Sequence, residues 1–450
     1  MSTTRSVARL GRGDVVELIS DVGPVPRNVG ALLVLGAPTS PGTVPADRPD
    51  DGVAAEAVEV ALRTRASRIP GLMRRLAPPH QGWRRPSWVD GVEPDLDVHV
   101  TRELCPGRGD DDALLALAVA VVARPLPRSR PLWGAVVVTG LRGGGLAVVL
   151  SMHHALSDGM NALAILAQLV DAPDPGPISG PSGTPASTVR PEHTSLPSPQ
   201  GSRDVTRGAG LPTRTWSLPR LAPACSLNAI TGPRRRVVPV DLALDAVLAA
   251  ARARGATVND VLLTVVTRAM ARTLDARGEH VDELVVSVLV AARTPPGGHG
   301  NQVAVMPVRV PTGGSPVGRL EVVAGRTRAL KARGAGRAAP GYAALVRLLA
   351  ATHLLSPFLN HQRLISTTLT TMRGPTTTLT LAGARVTRVV PLTGTAGNVA
   401  VSFAALSYAG RLTVTAVVDP DVVPEVEQLI EAVRDEVCAL LDEHPRPPAV

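Results

Sequence analysis

Residues 131–159 read PLWGAVVVTGLRGGGLAVVLSMHHALSDG, and this stretch decides the fold class. Ala135 to Thr139 and Leu146 to Met152 are valine-rich apolar runs, separated by Leu141-Arg142-Gly143-Gly144-Gly145. Two β-prone runs joined by glycines predict a hairpin. His153 and His154 stand where the second strand ends. Asp158 is placed to cap a following helix, in which Leu163, Leu166 and Val170 recur at helical spacing. A strand that ends in histidines and runs into a helix holds those side chains firmly at the rim of a cavity.

Working outward, helices are predicted over 52–67 and 112–123 in the first half, and over 242–254, 257–274 and 424–441 in the second. Thr257 is the expected cap of the helix at 257–274. Strands are predicted over 284–292, 302–310, 364–369, 384–390, 399–407 and 411–418. In residues 171–220, 29 of 50 are Gly, Pro, Ser or Thr, a composition that buries too little apolar surface to offset its ordering entropy. The chain therefore reads as α+β in two comparable halves, 1–170 and 234–450, joined by a flexible linker over 171–233.

The composition narrows the function. Of 450 residues, 44% are hydrophobic, enough for a sizeable core and too many for global disorder. The net charge is +9, yet Lys331 is the only lysine and aromatics number eight (4 Trp, 2 Tyr, 2 Phe). A base-stacking surface needs aromatics this chain lacks, so no nucleic-acid partner is expected. Cys105, Cys225 and Cys438 lie far apart and match neither a disulfide framework nor a zinc spacing, which suits a reducing cytoplasm. Neither a signal-peptide core nor a run near the ~20 apolar residues of a spanning helix is present, so a soluble or peripheral protein is expected.

His153-His154-Ala155-Leu156-Ser157-Asp158-Gly159 carries the candidate chemistry. A neutral imidazole can take a proton from a hydroxyl attacking an acyl carbon, and histidine titrates near neutrality. Asp158 could fix the loop or the tautomer, and Gly159 lets the backbone turn closely. The plainer alternative makes the histidines partnered residues at a strand end and Asp158 a cap. No G-x-S-x-G elbow, H-E-x-x-H motif or Walker loop competes. Direct transfer without metal or covalent enzyme intermediate is the expectation.

These residues resemble the bacterial wax ester synthase/diacylglycerol acyltransferase family, within the wider coenzyme-A-dependent acyltransferase superfamily. Asp95 to Val100 after Pro86 to Asp90 looks like its N-terminal block, Arg130-Pro131-Leu132-Trp133 like its P-L-W motif, and His153 to Gly159 like its active-site motif. Ser226-Leu227-Asn228, Val258-Asn259-Asp260-Val261-Leu262, Gly300-Asn301, Leu381 to Arg385 and Ser407 to Leu412 follow in the family's order.

The resemblance implies two similar chloramphenicol-acetyltransferase-like domains, each a mixed sheet flanked by helices, with the active site at their interface. It implies transfer of a long-chain acyl group from acyl-CoA, as co-substrate with no bound cofactor, to diacylglycerol or a fatty alcohol. His154 would be the general base, with His153, Asp158 and Gly159 shaping the site. The products, triacylglycerols or wax esters, would make the lipid acceptor and peripheral association with membrane or lipid droplets part of its setting. A specialised acyltransferase for another hydroxyl or amine, and a non-catalytic lipid-surface protein of the same fold, are the alternatives. Pro131, Leu132 and Trp133 read as packing or as site support. Asn259 and Asp260 read as helix-start capping or as hydrogen-bonded support of the interface. Arg293 reads as a partner for Asp158 or as a solvent-facing arginine. The sequence departs from the family pattern at Gly134, at Asn161-Ala162 and at Thr371-Met372-Arg373-Gly374-Pro375.

Overall fold

The computed structural model describes residues 7–36, 51–77, 86–156, 159–171, 220–291, 303–332, 342–395 and 397–442. In the first half these form β1 (Val7–Arg9), α1 (Arg12–Ile19), β2 (Asn28–Leu35), α2 (Asp51–Ala66), β3 (Arg75–Leu76), β4 (Ser87–Val89), α3 (Leu96–His99), β5 (Val100–Leu104), α4 (Asp111–Val122), β6 (Trp133–Thr139), β7 (Leu146–His153) and α5 (Gly159–Leu169). The second half gives β8 (Arg236–Ala243), α6 (Leu244–Ala253), α7 (Val258–Ala276), β9 (Glu283–Ala291), β10 (Val303–Pro311), α8 (Pro316–Ala332), α9 (Tyr342–Ala351), α10 (Leu355–Asn360), β11 (Thr367–Arg373), β12 (Thr380–Leu381), β13 (Ala384–Leu392), β14 (Val401–Tyr408), β15 (Arg411–Val418) and α11 (Val426–Asp442).

Two six-stranded sheets carry the fold, in the orders β12-β13-β2-β7-β6-β5 and β10-β9-β11-β14-β15-β8. Both are mixed: β5 runs parallel to β6, and β11 runs parallel to β9 and β14. The predicted hairpin is β6–β7, and Gly143, Gly144 and Gly145 turn it with φ of 87°, 79° and 98°, a region L side chains rarely adopt. Every residue of β7 is buried, because α2 and α5 cover one face of its sheet and α4 the other. Around the second sheet, α7, α8 and α11 enclose a core that includes Leu262, Met270, Phe403 and Leu429.

The sheets do not divide where the halves do. β12 and β13 come from the second half yet complete the first sheet beside β2. Leu381, Ala384, Val386 and Val389 join the core under α2 and α5, which is why this segment leaves its own half. Tyr408 latches it: the hydroxyl donates to the Val386 carbonyl at 2.8 Å and accepts from the Leu379 N–H at 2.8 Å. The turn Ala382-Gly383, with φ of 50° and 77°, points two N–H groups at the Asp171 carboxylate (3.1 and 3.0 Å), and Arg65 binds the same carboxylate at 2.5 Å.

Two expectations need correction. The strand predicted over 364–369 starts at Thr367, because Gln362 Oε1 accepts from the N–H groups of Leu364 and Ile365 and curls the chain there. Of the stretch read as linker, 172–219 lies outside the described residues, while 220–233 is packed: Ala222 and Leu227 are buried, and Asn228 Nδ2 donates to the carbonyls of Ser366 and Asn398. Among the described residues no helix is long and apolar enough to cross a membrane.

Candidate active site

The histidine pair is fixed by backbone on both sides. β7 lies between β2 and β6, with His153 opposite Asn28. His153 N–H donates to Leu132 O at 3.0 Å, and His154 N–H donates to Arg27 O at 2.8 Å. Asn28 Nδ2 in turn donates to the carbonyls of Val122 and Arg124, both at 2.9 Å, tying the start of β2 to the end of α4.

The two rings differ in freedom. His153 is 3% exposed. Its Nδ1 accepts the Ala155 N–H at 3.0 Å, so the ring proton sits on Nε2, which donates to Asp21 Oδ2 at 3.2 Å. His154 is half-buried, its side chain 21% exposed, and its Nδ1 lies 3.9 Å from Glu17 Oε2. Glu17 is gripped by Arg27 Nε at 2.8 Å. Burial works to raise the Glu17 pKa, but the charge and hydrogen bond of Arg27 and the nearby histidines win and hold it at about 2. At Asp21 burial is likewise outweighed, by the hydrogen bonds of His153, Arg27 N–H and Arg128, and its pKa also falls to about 2. Two ionised carboxylates therefore stand behind the histidine pair near neutral pH.

Of the sequence-predicted residues, Pro131, Leu132 and Trp133 lie beside this pair. Leu132 is fully buried and supplies the carbonyl that binds His153. Trp133 Nε1 donates to Leu72 O at 2.9 Å, and its ring stacks on His99 at 4.6 Å between centroids. His99 Nδ1 bonds the Trp133 carbonyl at 2.7 Å. Burial pushes the His99 pKa down, more than that carbonyl raises it. Gly159 opens α5. Asp158 and Arg293 lie outside the described residues. Asn259 and Asp260 lie in the first turn of α7. Asp260 closes a capping box, accepting from Thr257 N–H at 2.8 Å and Thr257 Oγ1 at 2.7 Å, and its other oxygen accepts from Thr327 Oγ1 at 2.7 Å. Asn259 Oδ1 accepts from Thr371 Oγ1 on β11 at 3.0 Å.

Sequence reasoning missed Glu17, Asp21 and Arg27, and met His99 only as part of the Asp95 to Val100 block, with no role given to it. Glu17 and Asp21 are four residues apart, a spacing as common on solvated helix faces as in sites. Only contacts across more than 130 residues, such as Asp21 with His153, give them meaning. A cavity at the meeting of the two sheets is lined by Asn28, Val122, Arg235, Val237, Leu392 and Gly394 among others, and neither histidine lines it. Among the described residues no group of three or more His, Cys, Asp or Glu could hold a metal ion.

Chemically, the site offers one locked imidazole and one half-exposed imidazole backed by an ionised carboxylate. Comparison with known proteins agrees with the motifs. The family model described as wax ester synthase/diacylglycerol acyltransferase catalytic domain matches residues 14–262, and that for the WS/DGAT C-terminal domain matches 299–440. A probable diacylglycerol O-acyltransferase of Mycobacterium tuberculosis, tgs1, is 30% identical over 92% of this chain and 91% of its own. A putative diacylglycerol O-acyltransferase from the same species is 31% identical over 64% of this chain, and that match spans 63% of the relative's length. Among solved structures, the wax ester synthase/diacylglycerol acyltransferase of Marinobacter aquaeolei VT8 superposes with a TM-score of 0.69 at 22% identity, covering 97% of this chain and 99% of that one. The first condensation domain of the CDA synthetase gives 0.61 at 17%, covering 98% and 97%, so the two share the fold. By its motifs, its two matched regions and its fold, the chain belongs to the wax ester synthase/diacylglycerol acyltransferase family.

Proposed function

We propose that the protein is an acyl-CoA-dependent O-acyltransferase that moves a long-chain acyl group onto diacylglycerol, a fatty alcohol, or both. The observation that carries this reading is the placement of His154: half-exposed, backbone-anchored, and with Nδ1 facing an ionised Glu17. In the proposed reaction, Nε2 of His154 takes the proton of the acceptor hydroxyl as its oxygen attacks the thioester carbonyl. The carbon–sulfur bond then breaks, and the imidazolium returns the proton to the departing CoA thiolate. Products are the ester and free CoA, with no acyl-enzyme.

Glu17 favours the imidazolium as it forms. Unit charges 4 Å apart interact by about 4 kcal/mol at an effective dielectric of 20, before the opposing charge of Arg27 is counted. His153 serves as scaffold, since both its nitrogens are already bonded. Pro131, Leu132 and Trp133 support the strand end that presents the pair. Asp158 and Gly159 shape the turn into α5, with Arg293 as the proposed partner of Asp158. Asn259 and Asp260 act at one remove, by fixing α7. No bound cofactor is required, and acyl-CoA enters as co-substrate.

Labelled acyl-CoA incubated with diacylglycerol, a fatty alcohol or a short alcohol tests this reading. Wild-type protein should release CoA and form ester, and His154→Ala should do neither while keeping its fold. Absence of CoA release with every acceptor would refute it.

A further inference from the structure

Between Glu321 and Asp419 the chain carries no acidic residue, although 38 Asp and Glu are distributed over the whole sequence. The same interval, 322–418, holds ten arginines and Lys331. Part of it, α9 and α10 with the turns that follow each, exposes large apolar side chains: Leu345 (43%), Leu348 (62%), Leu354 (53%) and Leu364 (41%). Helical periodicity puts Ala344, Leu348 and Ala351 on the outward face of α9, with Leu345 and Arg347 at its two borders, while Val346 points inward and is buried. Arg347 is exposed and has no ion-pair partner among the described residues. Arg363 donates from two guanidinium nitrogens to the Ala222 carbonyl, and among the described residues it has no ion-pair partner.

Exposed leucines on a helix bordered by arginine, with no acidic residue in α9, α10 or the turns that follow them, match a surface that is apolar beneath and anionic above. A free phosphate ligand would call for donors converging on one point, which this face lacks. Its position matters as well, because α9 packs directly on α1, the helix that carries Glu17. We infer that α9–α10 docks the protein on an anionic phospholipid bilayer, with Leu345, Leu348, Leu354 and Leu364 at the acyl–headgroup boundary and Arg347 and Arg363 among the phosphates. Docking there sets α1, and the histidine pair behind it, next to the membrane. The docking stands apart from the acyl-transfer reading; delivery of a bilayer-held acceptor rests on it.

Flotation of the full chain with phosphatidylcholine vesicles, with and without phosphatidylglycerol, tests the inference. Wild type should float with the anionic vesicles, less so at 1 M salt, and L345E/L348E should lose flotation. In L348W, brominated lipid should quench the added tryptophan beyond the four native ones, which reports insertion without a charge substitution. Activity divides the two claims. L345E/L348E should lose turnover of diacylglycerol held in anionic vesicles and keep turnover of a short water-soluble alcohol. Equal flotation of wild type and L345E/L348E, or no quenching in L348W, overturns the inference. A wild-type dimer that L345E/L348E converts to monomer without any vesicle binding would assign the face to a second copy and overturn it too. Loss of both activities in His154→Ala with flotation intact leaves the docking standing.

Discussion

Two carboxylate clusters invite comparison. Around α1, Glu17 and Asp21 face imidazole rings and guanidinium groups from three distant segments. At the start of α7, Asp260 faces a backbone N–H and two threonine hydroxyls. Both clusters are acids at the end of a helix near a family motif, yet they do different work. Both oxygens of Asp260 accept from fixed neutral donors, so it secures geometry. Glu17 faces a group that can gain charge, so its energy changes when a proton arrives. What an acid does follows from whether its partners titrate.

That contrast can be broken. The largest effect is expected for His154→Ala: kcat/KM should fall by about 10²–10⁴, the range for loss of a general base, with an unchanged Tm. A Tm loss of several degrees with little loss of rate would reverse the assignment of roles. Next, Asp260→Ala should cost about 1–3 kcal/mol, since the buried Thr327 hydroxyl loses a charged acceptor and the Thr257 cap loses its partner. Urea unfolding would show it, while the folded fraction keeps its kcat. A fall in kcat at unchanged stability would make Asp260 part of the site.

A smaller effect concerns pH. Glu17 and Asp21 titrate near 2 when folded, below their ordinary values of 4.5 and 3.8. A depressed carboxylate stabilises the fold above its ordinary value, and that contribution disappears as pH falls toward 2. Wild type should therefore lose stability between pH 4.5 and 2 more steeply than E17Q/D21N, as read from urea midpoints at several pH values. Parallel slopes would mean that Glu17 and Asp21 are not depressed as described. Smallest, Tyr408→Phe should cost about 1–2 kcal/mol through loss of two buried hydrogen bonds and leave substrate preference untouched.

Much of the fold was legible in the sequence because periodicity is local. The β6–β7 hairpin, the Thr257 cap and the amphipathic α11 were each readable from fewer than twenty residues. β2 was not assigned, although Asn28 to Leu35 is apolar and borders β7, because pairing is a relation between segments that composition does not encode. The site divides the same way. His153 and His154 announced themselves as a motif at a strand end. Glu17 and Arg27 are ordinary charged residues until the β2–β7 register brings them beside the rings. Asp260 was ambiguous for the opposite reason: a cap and a site residue have the same sequence signature, and only the Thr327 contact from α8 separates them.

The strand borrowed by the first sheet has a consequence for biosynthesis. Thr387 Oγ1 bonds the Val34 carbonyl across 353 residues, so the two ends of that contact leave the ribosome far apart in time. When His153 has been made, β13 is still 231 residues (384 − 153) away. At 5–20 residues per second that is a wait of about 10–50 s. Through this interval β2 is an open apolar edge, able to pair with any extended chain it meets. A fragment ending at residue 170 should therefore aggregate even though it contains every residue of the histidine motif. A split version of the protein would need residues 380–392 supplied in trans before its first half could close.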